Sequence, residues 1–504
     1  MSSEDLDTLP SVLPEPAEIS VPGPVELQGI TRQLFRGSGI YAATGFSIKA
    51  LNFLLLALYS RFLRPSDYGI VVLAEVIAML MSTVAGLGLN TALIRFYFQH
   101  ANDRSRQQCY VSTLLRFSIG VATTGLTVAF VLGRLVPNFF RSQLKVAFFP
   151  YLALALSAAA ATQITEFRLG LYQAEQQPQK FSRLALFSFL LTASGAIAFV
   201  VIGRMGAAGL LWGKLAGAAC TACIAMWLLR DWWSAGWDGH NLRESLRFGL
   251  PLVPHQILAL GLVAADRFIL SHYRDLNEVG VYSIAYTMGM VMYMFTAAIG
   301  LAWGPMFYDL ANQGESGRKA ISDASQKLIA MLTLIACAGV LIAQPFTNWF
   351  LDARYAAAAS LAPWIIASYL MHAFSSLFQQ ALLQAKRTAS FAWVTALAFA
   401  LNIILNLTWI PSRGMYGAAY ATLAAYAIQA LIMYLVAQAV FPLSYGVLRM
   451  ARWLTLLACL VALSQMKIAL DKPLMLALRL SLLALLALFA VQLRTGFARR
   501  KFSV

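Results

Sequence analysis

The residues best placed to do chemistry in this chain of 504 residues are charged and aromatic side chains set in or beside long apolar runs. Lys49 and Lys214 lie inside such runs, while Arg36 and Arg95 lie near their ends. A fixed cation of this kind holds an anionic group. Inside a membrane span it costs about 2.5–3.5 kcal/mol on insertion scales, so it has a task or a partner. The plainer alternatives are a Lys49–Glu75 pair, a Lys214 that snorkels to the interface, and Arg36 and Arg95 as ordinary membrane anchors. Asp266, His255 and Glu75 are candidates for taking up a proton or ion, since histidine titrates near neutral pH. Asp266 follows His255 by eleven residues, which at 100° each returns to nearly the same helix face. Both are therefore expected to look into one cavity. The alternatives are an Asp266 paired with Arg267 or Arg274 at the outer surface, and a His255 that bonds a carbonyl in helix packing. Tyr282, Tyr286 and Tyr293 are close to helical spacing, and Trp303 follows them. Their flat faces suit stacking on sugar rings, although such a stripe also serves interhelical packing or an interface belt.

The elements that must position these groups are membrane helices. Sixty per cent of the chain is hydrophobic and only 12% is charged, half the share of a soluble domain. Mean hydropathy is +0.68. Apolar stretches of spanning length recur fourteen times between residues 38 and 493, which predicts an all-α polytopic membrane protein. The organisation expected is a disordered acidic cytoplasmic tail (1–35), an N-lobe of spans one to six (36–230), a cytoplasmic linker (231–247), a C-lobe of spans seven to twelve (248–440), spans thirteen and fourteen (441–495), and a basic cytoplasmic tail (496–504). Net charge is +16, and the bias of Lys and Arg among the loops puts both termini in the cytoplasm. Arg116, six residues into span three, is expected to snorkel. Pro251, Pro254 and Pro305 are expected to kink their helices. The Cys220-x-x-Cys223 pair sits in an apolar run and reads as small packing residues. No loop has room for a nucleotide-binding or glycosyltransferase domain, and neither a phosphate-binding loop motif nor an H-E-x-x-H motif occurs. Neither a cofactor, a metal nor a nucleic-acid partner is expected.

The halves echo each other. Gly69 in Asp67-Tyr-Gly-Ile70 matches Gly280 in Glu278-Val-Gly-Val281, a shift of 211, and Phe96-Tyr97 matches Phe307-Tyr308 at the same shift. Gly206 matches Gly414 at a shift of 208. This is a tandem duplication of six spans, whose copies run in the same direction and are related by an axis along the membrane normal. Two such lobes enclose a central cavity, and rocking them gives alternating access.

Several segments, read in order, resemble a known family: Arg61-Phe-Leu-Arg-Pro-Ser-Asp-Tyr-Gly69, Leu250-Pro-Leu-Val-Pro254, Asp266-Arg-Phe-Ile-Leu270, Glu278-Val-Gly-Val-Tyr-Ser-Ile-Ala-Tyr286, Ala302-Trp-Gly-Pro305 and Gly414-Met-Tyr-Gly-Ala-Ala-Tyr-Ala-Thr-Leu423. The chain resembles the polysaccharide-repeat-unit (Wzx-type) flippases of the multidrug/oligosaccharidyl-lipid/polysaccharide exporter superfamily. The resemblance implies translocation of polyprenyl-pyrophosphate-linked oligosaccharides across a bacterial inner membrane, for O-antigen, capsule or exopolysaccharide. It also implies coupling to a proton or sodium gradient, with a polysaccharide polymerase and chain-length regulator as partners besides the lipid bilayer. Lys49, Arg36, Arg95 and Lys214 then become contacts to the pyrophosphate. The rivals are a multidrug or cation antiporter of the same superfamily and a membrane enzyme of glycan assembly. Cavity sign separates the first two, basic for pyrophosphate and acidic for drug cations. With only Glu75 and Asp266 read as buried acids, a basic cavity is expected.

Overall fold

The computed structural model describes residues 24–100, 103–143, 145–385 and 387–466, with 479 and 481–484 beyond them. The side chains of 24–38, 100, 140, 141, 301, 388 and 389 are not among those described. The helices are α1 (Pro24–Phe62), α2 (Pro65–Gly86), α3 (Leu89–Phe96), α4 (Arg104–Leu135), α5 (Pro137–Gln143), α6 (Ala153–Ala174), α7 (Pro178–Ile197), α8 (Gly206–Leu228), α9 (Gly239–Gly249), α10 (Leu252–Tyr273), α11 (Leu276–Ala311), α12 (Gly314–Phe350), α13 (Ala358–Gln384), α14 (Thr388–Val440) and α15 (Val447–Gln465). No strand occurs among the described residues. Twelve of these helical segments are long and apolar enough to cross a membrane. The longest, Ser390–Val440, breaks at Gly414 (φ 57°, ψ −135°) and makes two traverses. The first thirteen stretches of the sequence reading therefore match helices long and apolar enough to cross a membrane, and the protein is an all-α, multi-pass membrane protein. The fourteenth (473–493) and the C-terminal tail lie outside the described residues, apart from 479 and 481–484. There Arg479 donates to Oε1 of Gln344 on α12.

The duplication is visible in backbone detail. Gly206 and Gly414 each take a left-handed φ, +58° and +57°, at the turn that opens the last helix of a lobe. Each faces a carboxylate at the start of the lobe's second helix, Asp67 for Gly206 and Glu278 for Gly414. Glu278 also accepts from the Met415 backbone N–H at 2.8 Å. The lobes meet where α2 and α11 begin, at the bundle end that holds the 63–64 turn. A methyl on Gly69 would fall on the Leu276 carbonyl, and one on Gly280 would fall on the Pro65 carbonyl. These two positions are equivalent in the repeat, so the reciprocal contact lies at the pseudo-twofold axis. Gly280→Ala is expected to destabilise the protein by roughly 1–3 kcal/mol, because the close approach leaves no room for a side chain. Thermal unfolding in detergent would check this, and an unchanged midpoint would contradict it.

Some local expectations are corrected. Helix α1 begins at Pro24, within the 1–35 segment read as a tail, while 1–23 lie outside the described residues. Pro251 is the N-cap of α10 and Pro254 lies in its first turn, where backbone N–H groups have no intrahelical acceptor, so neither interrupts a helix. Pro305 does lie inside α11. Arg116 does not snorkel freely but donates to the Gly236 carbonyl. Beside it, Ser112 Oγ bonds the Ser234 backbone at both N–H (3.2 Å) and C=O (3.0 Å), and Thr113 accepts from Asp238 N–H at 2.9 Å. The linker between lobes is thus strapped along about one turn of α4. It continues into amphipathic α9, which packs on α3.

Candidate functional site

A cavity of about 1040 Å³ opens within the N-lobe, walled mainly by α1, α2, α6, α7 and α8, with Leu89 and Asn90 of α3 and Ser118 of α4 completing it. The C-lobe contributes only Gln256 and Thr287 to its lining. The wall is mixed. Leu55, Val71 and Leu210 alternate with Asn52, Asn90, Thr162 and Gln163. Such a lining offers both hydrogen-bond donors and acceptors against apolar surface, as ligand sites commonly do.

Among the described residues, three ionisable side chains of ordinary acid or base character line it: Glu75, Glu166 and Lys214. Lys214 Nζ pairs with Glu75 Oε1, and the two side chains keep 35% and 39% of their surface open, so the pair faces the cavity rather than the packed interior. Lys214 is therefore neither a free anion-binding cation nor a snorkelling one, and Glu75 is its partner rather than that of Lys49. The pair joins residues 139 apart in sequence. Glu166 has no ion pair or hydrogen bond among the described residues. Beside it, Thr165 lines the cavity with a hydroxyl that has no partner among the described residues, although the residue is only 2% exposed. Two carboxylates against one ammonium do not form the basic cavity expected from sequence.

The other candidates lie elsewhere. Lys49 is exposed between the lining residues Ile48 and Asn52, and its ammonium stands 5.1 Å above the ring of Tyr293 on α11. It therefore marks the seam between lobes. Arg95 is stacked on Phe248, 4.4 Å from the ring centre, at the bundle end occupied by α3 and α9. Arg36 lies on α1, and its side chain is outside the described set. His255 is exposed near the start of α10 and does not line the cavity.

Asp266 does not share a cavity with His255. It is 2% exposed and sits in a closed cluster. Its Oδ1 accepts from the Arg267 backbone N–H (2.8 Å) and from the Arg267 guanidinium (3.1 Å), and its Oδ2 accepts from Tyr282. The guanidinium lies 4.1 Å from the Tyr286 ring centre and also donates to the Val263 carbonyl. The pairing with Arg267 is present, but in the core rather than at an outer surface. Tyr282 and Tyr286 are buried and do not line this cavity, so they do not meet a sugar bound there in this conformation. Tyr286 packs edge-on against Tyr369, which also meets Tyr293. Trp303 is buried against Phe307. The aromatic stripe is interhelical packing around an ion pair, with only Tyr293 reaching the seam.

A family model described as polysaccharide biosynthesis protein matches residues 58–360, more than half of the chain and parts of both lobes. The chain belongs to that family. Compared with curated protein sequences, the chain has no match. Its fold is similar to that of the lipid II flippase MurJ in an inward closed conformation, with a TM-score of 0.70 at 14% identity, covering 90% of this chain and 99% of that one. It is also similar to an inward-facing multidrug resistance MATE family transporter of the MOP superfamily, with a TM-score of 0.62 at 15% identity, covering 82% and 99%. The MATE transporter VcmN of Vibrio cholerae matches at 0.56 and 14% identity, covering 82% and 98%. At these identities the likeness is one of fold. The chain thus combines membership of the polysaccharide biosynthesis family with a fold shared by MurJ and MATE transporters.

Sequence reasoning missed Glu166, although the signal was present. It lies within the apolar stretch 146–169, and a census of charged groups inside spans that counted acids as well as bases would have found it. It also missed the buried Arg168–Glu175 pair (3.4 Å) behind that wall, in which Arg168 stacks 3.6 Å from the Tyr172 ring centre.

Proposed function

We propose that this protein flips lipid-linked oligosaccharide repeat units across the bacterial inner membrane, from cytoplasm to periplasm, by alternating access. The observation that carries the reading is the polysaccharide-family match, which covers parts of both lobes of a flippase-like fold. The hydroxyl and amide side chains of the N-lobe cavity suit sugar hydroxyls, and its volume suits a short saccharide. The lipid tail would leave through the seam between lobes. A polyprenyl pyrophosphate would meet Lys49 there, since the cavity itself lacks a free cation among the described residues. Both termini would then be cytoplasmic, and a polymerase and chain-length regulator would act on the product. Coupling to a proton or sodium gradient belongs to the same reading.

The test is flipping of a fluorescent polyprenyl-pyrophosphate oligosaccharide in proteoliposomes, against empty vesicles. Wild-type protein should flip it, and Lys49→Ala should slow flipping roughly tenfold, the effect of about 1.4 kcal/mol. One observation favours a second reading: the cavity holds two carboxylates and one ammonium, a balance that attracts cations. Export of a lipophilic cation, with no flipping of any saccharide lipid by well-folded protein, would establish that reading instead.

A further inference from the structure

We infer that the N-lobe cavity sorts saccharides by charge through Glu166, admitting neutral units and units with a free amine and disfavouring those that carry carboxylates. The inference rests on the flippase reading and adds a substrate class to it. Of the three ionisable groups named above, Lys214 and Glu75 hold each other and cancel. Glu166 remains as a carboxylate without a counter-ion among the described residues, on a wall built otherwise of hydroxyl, amide and apolar groups. The unpartnered, buried hydroxyl of Thr165 stands next to it on α6. A buried hydroxyl without a hydrogen bond is unfavourable until something supplies one. A sugar hydroxyl or amine at this wall would supply it. An ammonium on the sugar would add a charge-assisted bond to Glu166, whereas a uronic-acid carboxylate would meet a like charge with no free cation among the described lining residues to offset it.

The experiment uses the purified full-length protein and three soluble probes of equal length. They are a glucosamine tetramer bearing amines, its N-acetylated neutral counterpart, and a galacturonic acid tetramer. Affinities are read by ligand-induced thermal shift at low and high salt. Wild-type protein should bind the amine-bearing tetramer roughly tenfold more tightly than the galacturonate, with the neutral tetramer between them and the spread narrowing in high salt. Glu166→Gln, which keeps the shape and removes the charge, should collapse the spread while leaving the neutral tetramer within about twofold of wild type. Thr165→Val should weaken all three probes alike and leave their order intact. Equal binding of the three by wild type, or an unchanged order in Glu166→Gln, would overturn the charge selection and leave the flippase reading standing. If no saccharide binds while tetraphenylphosphonium binds and is lost in Glu166→Gln, both readings fall together and the cavity is a cation site.

Discussion

Asp266→Ala will cost the protein about 3–5 kcal/mol, the range seen when one partner of a buried ion pair is removed. The carboxylate is 2% exposed and its guanidinium partner 7% exposed, so water is poorly placed to replace either. Removing the carboxylate strands a cation beneath Tyr282 and Tyr286 and leaves the Tyr282 hydroxyl without its acceptor. The double variant Asp266→Leu with Arg267→Leu removes both charges at once and is expected to recover most of the loss. Thermal unfolding in detergent and the yield of monodisperse protein on size exclusion are the readouts. If the single and double variants were equally unstable, shape rather than charge would explain the cluster. If Asp266→Ala matched wild type, the buried pair would not be a stabilising network at all.

Helix positions and the duplication were legible in the sequence because they follow from local patterns. Apolar runs of spanning length give the traverses, and repeated acid-and-glycine turns give the two lobes. The reciprocal contact of Gly69 with Leu276 and Gly280 with Pro65 is what two equivalent helix starts must form at a pseudo-twofold axis. The cavity was less legible because its chemistry is decided by pairings across the lobe. Glu75 lies within reach of Lys49 by helix arithmetic, yet Lys214 takes it, and no spacing rule joins residues 139 apart. Periodicity also misled at Asp266. Eleven residues do return to one helix face, but His255 lies near an exposed helix start while Asp266 is covered by α11. Burial varies along a helix as well as around it, and a helical wheel reports only the second. The tyrosine stripe shows the same limit, since stacking on a sugar and stacking between helices ask for the same residues.

Cutting the latch between lobes will shift the conformational balance of the protein. The loop after α12 reaches across to the end of α1 at the bundle end that holds Gly69 and Gly280. Arg354 donates to the carbonyls of Arg61 (3.1 Å) and Ser60 (3.4 Å), Tyr355 donates to that of Leu63 (3.2 Å), and the Asp352 backbone N–H donates to Ser60 Oγ (3.3 Å). Asp352 holds the guanidinium in place at 2.7 Å. Half-exposed charged bonds count for less than buried ones, so the Arg354 contacts and the buried Tyr355 bond together contribute about 2–4 kcal/mol. Arg354→Ala with Tyr355→Phe should therefore raise the population open at this end by roughly 30-fold or more. Val72 lines the cavity wall nearby, and Val72→Cys in a background without the native cysteines reports the change as faster labelling by a membrane-impermeant maleimide. The hydrogen bonds from Arg354 hold Asp352 below its ordinary value of 3.8. Its contribution is then complete above that ordinary value and is lost only as pH falls through the lowered one. Wild-type labelling should accordingly stay flat between pH 5 and 8. A rate that climbs within that window would place the pH-sensitive closure on another group, and a latch variant that labels no faster than wild type would show that the reciprocal glycine contact closes this end unaided.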